Sequence, residues 1–133
     1  MPISELRLVL TVKDFDRATA LFRDALGLEQ LAAWQNDGGH VVLLDAGRAT
    51  LEVADERQAQ AIDEIEVGRR VAGQVRIAFQ TPDSESVANT LARAGATILA
   101  GPVLTPWGDR NMRLQGPDGI QLTLFTPAAD QGQ

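Results

Sequence analysis

Arg7-Leu8-Val9-Leu10-Thr11-Val12-Lys13-Asp14 returns later in the chain as Arg76-Ile77-Ala78-Phe79-Gln80-Thr81-Pro82-Asp83. Each copy is a strand-like run that ends in an Asp suited to start a helix. In both, the Arg precedes its Asp by seven positions, and the copies stand 69 residues apart (76 − 7). Within 133 residues such a repeat predicts two similar halves. Each is too small to be comfortable alone, so they are expected to share one sheet across a cleft.

Working outward, each copy opens the same series of elements. After Asp14, the residues Phe15, Ala18, Leu21, Phe22, Ala25 and Leu26 fall at helical spacing, and Gly27 ends the helix. Leu28–Trp34 reads as a strand, Asn36-Asp37-Gly38-Gly39 as a hairpin turn, and His40–Leu44 and Ala49–Val53 as two further strands. The second copy runs Gln74–Gln80, then a helix over Ser84–Ala94 with Val87, Leu91 and Ala94 inward, closed by Gly95. A strand at Ala96–Ala100 with Leu104, then strands at Asn111–Gln115 and Ile120–Thr126, follow, with turns at Trp107-Gly108 and Pro117-Asp118-Gly119. The expected order is therefore βαβββ twice: module one at about 5–54, a polar linker at 55–72 with at most a helical turn, and module two at about 73–126. All of it forms a single domain over 1–133. The linker's acidic run Asp63-Glu64-Ile65-Glu66 reads as a solvated face, and Pro127–Gln133 as a disordered tail. The linker is long enough for the halves to pack within one chain or to exchange between two.

Composition narrows the function classes. The net charge is −6 and the isoelectric point about 4.6, with no basic cluster, which argues against a nucleic-acid surface. Cysteine is absent, which removes disulfides, thiolate chemistry and Cys-based metal sites. No apolar run approaches the roughly 18 residues of a membrane span, and the first residues lack a basic, apolar leader. No membrane partner and a cytoplasmic location are the expectation.

Two copies of βαβββ, with Trp107-Gly108-Asp109-Arg110 and Gly116-Pro117-Asp118-Gly119-Ile120 in the second, resemble the vicinal oxygen chelate superfamily. This group holds glyoxalase I, extradiol dioxygenases, methylmalonyl epimerases, fosfomycin-modifying enzymes and bleomycin- or mitomycin-binding resistance proteins. The resemblance covers about residues 5–126. It implies an α+β fold in which the two modules form a curved, cleft-enclosing mixed sheet, and it implies a homodimer. It also implies four strand positions that hold a divalent metal in the enzymes. Here those positions are Arg7, Glu52, Arg76 and Thr123. Only Glu52 is of the ligand type, and two permanently charged guanidiniums repel a cation. No metal and no cofactor are expected.

Strand alternation sends Arg7, Glu52 and Arg76 into the cleft and Leu8, Leu10, Leu51, Val53 and Ile77 to the helix-covered face. They form either a structural salt-bridge cluster or, with two Arg to one Glu, a positively charged seat for a ligand's polar group. A carboxylate between guanidiniums is a weak base, so catalysis by Glu52 is disfavoured. In the antibiotic-binding relatives, aromatic residues near Trp34 and Trp107 clamp a planar ligand, and stacking of this kind gives large contact area at low entropy cost. Either tryptophan could instead cover the core or a dimer contact; of the two, Trp107 is the stronger ligand candidate. Arg110 and Arg113 either line the cavity or pair with surface carboxylates, and His40 is a surface residue or a wall of the cleft. The reading is a metal-free protein that sequesters a planar aromatic or amphipathic small molecule, such as an antibiotic or secondary metabolite. Trp107, Trp34, Arg7, Glu52, Arg76, Arg110, Thr123 and His40 are its candidate ligand contacts. Two alternatives stand beside it: a metal-independent lyase or isomerase with Glu52 as base, and an interaction module whose cleft is filled by its own side chains.

Overall fold

The computed structural model describes residues 3–116 and 119–130. The first repeat forms β1 (Glu5–Val12), α1 (Phe15–Thr19, continued by a wider π-helical turn over Ala20–Ala25), β2 (Glu29–Asn36), β3 (Gly39–Asp45) and β4 (Thr50–Asp55). Helix α2 (Glu56–Glu66) follows. The second repeat forms β5 (Val75–Gln80), α3 (Ser84–Arg93), β6 (Thr97–Leu104), β7 (Arg110–Gln115) and β8 (Gln121–Thr126). All eight strands make one open, curved α+β sheet in the order β2-β3-β4-β1-β5-β8-β7-β6. Strands β1 and β5 pair antiparallel at its centre, with Leu8 opposite Ile77, so the repeats join within one chain. The two capping aspartates work alike: Asp14 accepts from the Arg17 amide at 3.0 Å and Asp83 from the Ser86 amide at 3.1 Å.

Helices α1 and α3 cover one face of the sheet. Val42, Leu44, Leu51 and Val53 pack there with Phe15, Ala18 and Phe22 of the first helical segment. Met112, Leu114 and Leu124 pack with Ala88, Val87 and Leu91 of α3. Details depart from the periodicity. The π-helical turn, closed by Leu26 N–H on the Leu21 carbonyl at 2.9 Å, rotates the helix, and Leu21 and Leu26 become exposed. Ala94 is likewise exposed, and Ala88 takes the inward place. Leu8 lies on the helix side but outside both cores, and it is exposed.

The linker differs most. It forms a three-turn helix whose start is capped by Asp55, which accepts from the Gln58 amide at 2.8 Å. Helix α2 lies over the other, concave face, where Ala59 and Ile62 meet Val9, Thr11 and Ala54. The acidic run is solvated only in part: Glu64 is exposed, but Asp63 is 1% and Glu66 4% exposed. Arg113 of β7 donates to Asp63 Oδ1 at 2.8 Å and to Glu66 Oε1 at 2.9 Å. The other Asp63 oxygen accepts from Arg70 and from the Val71 and Ala72 amides. Arg113, expected to line the cavity or pair at the surface, is buried under α2. Ala128–Asp130 form a short 3₁₀ turn where a disordered tail was expected. Pro117 and Asp118 of the expected turn, and Gln131–Gln133 of the tail, lie outside the described residues.

Candidate functional site

Strand register sets the floor of the cleft. Arg7, Ala78 and Thr123 form one row across β1, β5 and β8; Glu52, Val9 and Arg76 form the next across β4, β1 and β5. Alternation turns these side chains to the concave face. Glu52 stands between the guanidiniums, with Arg7 Nη1 3.7 Å from Oε1 and Arg76 Nη2 3.7 Å from Oε2. Those separations make ion pairs but not hydrogen bonds. Closer partners hold the arginines: Arg7 Nε donates to Glu5 Oε2 at 2.6 Å, and Arg76 Nη1 to Thr123 Oγ1 at 2.7 Å. The Arg7 guanidinium also lies over the Phe125 ring, 4.7 Å from its centre. Glu5 corrects the expected charge count. Two arginines face two carboxylates, and the floor carries no formal excess of positive charge.

Above this floor is a cavity of about 470 Å³, inside the range of roughly 300–1,000 Å³ usual for small-molecule sites. Its walls include Val41, Ile62, Ala78 and Phe125, and both tryptophans line it, Trp34 at 44% and Trp107 at 41% exposure. Trp34 comes from β2, paired with Val41. Trp107 comes from a tight turn in which Gly108 N–H donates to the Thr105 carbonyl at 2.9 Å and Thr105 N–H to the Asp109 carbonyl at 2.8 Å. Gly108 takes φ +94 there, a conformation that favours glycine. The same turn places Asp109 in the cavity wall. Burial pushes the Asp109 carboxyl above its ordinary range, helped by Glu66 and Glu52, while Arg7 and a hydrogen bond with Trp107 oppose the rise.

Six of the eight candidate residues thus meet at one cavity. Two do not. His40 points to the helix side, its ring 5.6 Å from Phe15 and its Nδ1 3.2 Å from Asp55 Oδ2, because residues 40 and 41 alternate across β3. Arg110 is exposed and donates from Nε to Glu85 of α3 at 2.9 Å, one position out of phase with the cavity-lining Asn111. Sequence reasoning missed Glu5, Gln58, Glu66, Asp109 and Asn111. Glu5 was findable as the i−2 neighbour of Arg7 on the same strand face, and Asp109 by its place beside Trp107. Gln58 and Glu66 carried no signal without α2.

A sequence model of the Glyoxalase/Bleomycin resistance protein/Dioxygenase superfamily matches residues 6–124. The chain belongs to this superfamily. Similar solved structures include a Streptomyces coelicolor methylmalonyl-CoA epimerase variant in complex with 2-nitronate-propionyl-CoA, at 22% identity, 98% and 99% coverage of this chain and that one, and TM-score 0.68. The Mycobacterium tuberculosis methylmalonyl-CoA epimerase matches at 20% identity, 96% and 90% coverage and TM-score 0.68. A superfamily member from Vibrio splendidus 12B01 matches at 12% identity, 92% and 97% coverage and TM-score 0.61. Identities this low show the fold alone. No curated protein matches the sequence.

The superfamily's divalent metal does not suit this donor set. Of Arg7, Glu52, Arg76 and Thr123, only Glu52 offers a carboxylate, and two guanidiniums stand 3.7 Å from it. The Thr123 hydroxyl already accepts from Arg76. Among the described residues no group of three His, Asp or Glu side chains is placed to bind a metal ion. Among them also, no helix is long and apolar enough to cross a membrane.

Proposed function

We propose that the cavity binds and sequesters a small planar aromatic or amphipathic molecule without a metal ion, as a protein that captures an antibiotic or secondary metabolite would. One observation carries this reading: Trp34 of the first repeat and Trp107 of the second, both partly exposed, line the same cavity. Two rigid aromatic surfaces on one apolar-walled space favour a flat ligand. The cleft is only partly filled by α2, which speaks against an interaction module with a closed cleft. The test is tryptophan fluorescence of the protein titrated with planar antibiotics and aromatic metabolites, bleomycin and mitomycin included. Saturable quenching that is lost in Trp107→Phe is the expected result. A panel that leaves the emission unchanged overturns the reading.

A second reading, catalysis, draws on a different observation. The methylmalonyl-CoA epimerases of similar fold are enzymes, and Asp109 is a cavity carboxyl whose proton is held more tightly than usual by burial. Asp109 suits general acid–base work better than Glu52, which serves as counter-charge to two arginines. Turnover abolished by Asp109→Asn but kept by Glu52→Gln would favour it. The homodimer implied by the resemblance fits the apolar residues Leu6, Leu8 and Val75, which are exposed on one face of the central strands. Sedimentation of a monomer would remove that part of the proposal.

A further inference from the structure

A charge held out of bulk water needs a partner of opposite sign, and the charges around the cavity pair off until one remains. On the floor, Arg7 and Arg76 face Glu5 and Glu52. Under α2, Arg113 and Arg70 answer Asp63 and Glu66, and the exposed Glu56 shares Arg70. Asn111 Nδ2 donates to the remaining Glu66 oxygen at 3.0 Å. Asp109 is left over. It lines the cavity, partly buried, and among the described residues no ion pair holds its carboxylate.

The surroundings of Asp109 favour positive charge. Glu66 and Glu52 add to burial in making its proton hard to remove. Arg7 opposes them, but its guanidinium is already engaged by Glu5, Glu52 and the Phe125 ring. A cation brought to this carboxylate takes the place of that proton and is drawn by all three acids. The carboxylate also belongs to the aromatic wall. It accepts a hydrogen bond from Trp107, two residues earlier in the same tight turn. Trp34 lines the same space from the other repeat, and indole is the aromatic ring that attracts cations most strongly.

We propose that the cavity selects a planar aromatic cation, such as an N-alkylated or protonated heteroaromatic ring, stacked on Trp34 and Trp107 with its charge beside the Asp109 carboxylate. This rests on the stacking reading above and narrows its ligand class. A neutral ring keeps the stacking but leaves Asp109 unanswered. An anionic ring meets Asp109, Glu52 and Glu66 with no surplus arginine to receive it. Of the three charge types, only the cation completes the pairing.

The test is a titration at mildly alkaline pH, followed by NMR of the two indole N–H signals and by calorimetry. The probes are N-methylquinolinium and N-methylacridinium, each against its neutral parent ring, with quinoline-2-carboxylate as the anion. The expected result is that at least one cation shifts the Trp34 and Trp107 signals and binds about tenfold or more tightly than its parent and the carboxylate. In Asp109→Asn that preference falls below about threefold, with the parent ring's own affinity unchanged. Asp16→Asn removes the same charge from an exposed position on α1 and keeps the preference. A nuclear Overhauser contact from the probe's N-methyl protons to the Asp109 β-protons places the charge without any substitution, and decides the matter if the Asp109 variant does not fold. Probes that shift both indoles with no preference for the cation overturn this inference and leave stacking in place. A carboxylate that binds most tightly, a preference lost equally in Asp16→Asn, or an N-methyl group remote from Asp109 also overturns it. So does an Asp109→Asn protein that loses every probe alike, which would make Asp109 a positioning residue for Trp107. Indole signals unmoved by every probe remove both readings.

Discussion

Two clusters of arginine and carboxylate lie within this one small sheet, and they are built differently. Under α2, Arg113 meets Asp63 and Glu66 at hydrogen-bonding distance, with side chains 0%, 1% and 3% exposed. Every contact there is short, and backbone amides complete the set. On the cavity floor, Glu52 stays 3.7 Å from Arg7 and Arg76, with 12% of its side chain exposed to the cavity. A charge cluster that is closed and fully bonded holds structure; one left loose beside a cavity keeps hydrogen-bonding capacity for something else. Arginines of like appearance in the sequence are thus set in different surroundings, and burial with bond length tells them apart.

Five substitutions test that contrast, in falling order of expected effect. Arg113→Met removes the shared counter-charge of two carboxylates that are 1% and 3% exposed, and should cost about 3–5 kcal/mol in urea unfolding. A loss below about 1 kcal/mol would put this cluster on the same footing as a surface pair. The same cluster has a pH signature. Burial alone would raise the Asp63 carboxyl, but the Ala72 and Val71 amides and Arg113 outweigh it and the net direction is down. The folded state therefore binds that proton less well than the unfolded chain. Its stabilisation is present above the ordinary carboxylate value of about 3.9 and is lost as pH falls through the lowered one. Acid unfolding of Asp63→Asn, followed by circular dichroism, should lack that component.

Gly39→Ala comes next. The new Cβ would meet the α2 backbone at 2.5 Å, so the helix must shift, at about 1–3 kcal/mol, with loss of probe binding. Glu52→Gln is smaller, about 1–2 kcal/mol, because Arg7 keeps Glu5 and Arg76 keeps Thr123. If it unfolds the protein, the floor is as structural as the other cluster and the contrast fails. Asp109→Asn is the smallest and has the opposite sign. The native carboxyl holds its proton above the ordinary range, so native stability falls as pH rises through that window. The variant should lose this fall and gain slightly in thermal stability at neutral pH.

The sheet was legible in the sequence because its signals are local. Period-two apolar strands, aspartate caps and a 69-residue echo (76 − 7) place Arg7, Glu52 and Arg76 on one face, and the resemblance to the superfamily adds Thr123. Trp34 and Trp107 came from the resemblance to antibiotic-binding relatives, which carry aromatic residues in these regions. The closed cluster was not legible. Asp63 and Glu66 sit in a linker whose apolar stripe is thin, and they find their charge 50 and 47 residues away. An acidic run reads as solvated until the buried arginine is seen. Of the two readings given for His40 and Arg110, the structure shows the surface one, because each is one residue out of phase with the wall of the cavity.

A chain built from two copies of one unit ordinarily keeps a seam at which it can be cut. Here the seam is α2, capped by Asp55 and seated on Gly39 in the first unit, and bonded to Asn111 and Arg113 in the second. Cutting before it leaves Gly39 bare, and cutting after it leaves Arg113 without an anion. The connecting segment has become the keystone, and the two halves are no longer autonomous.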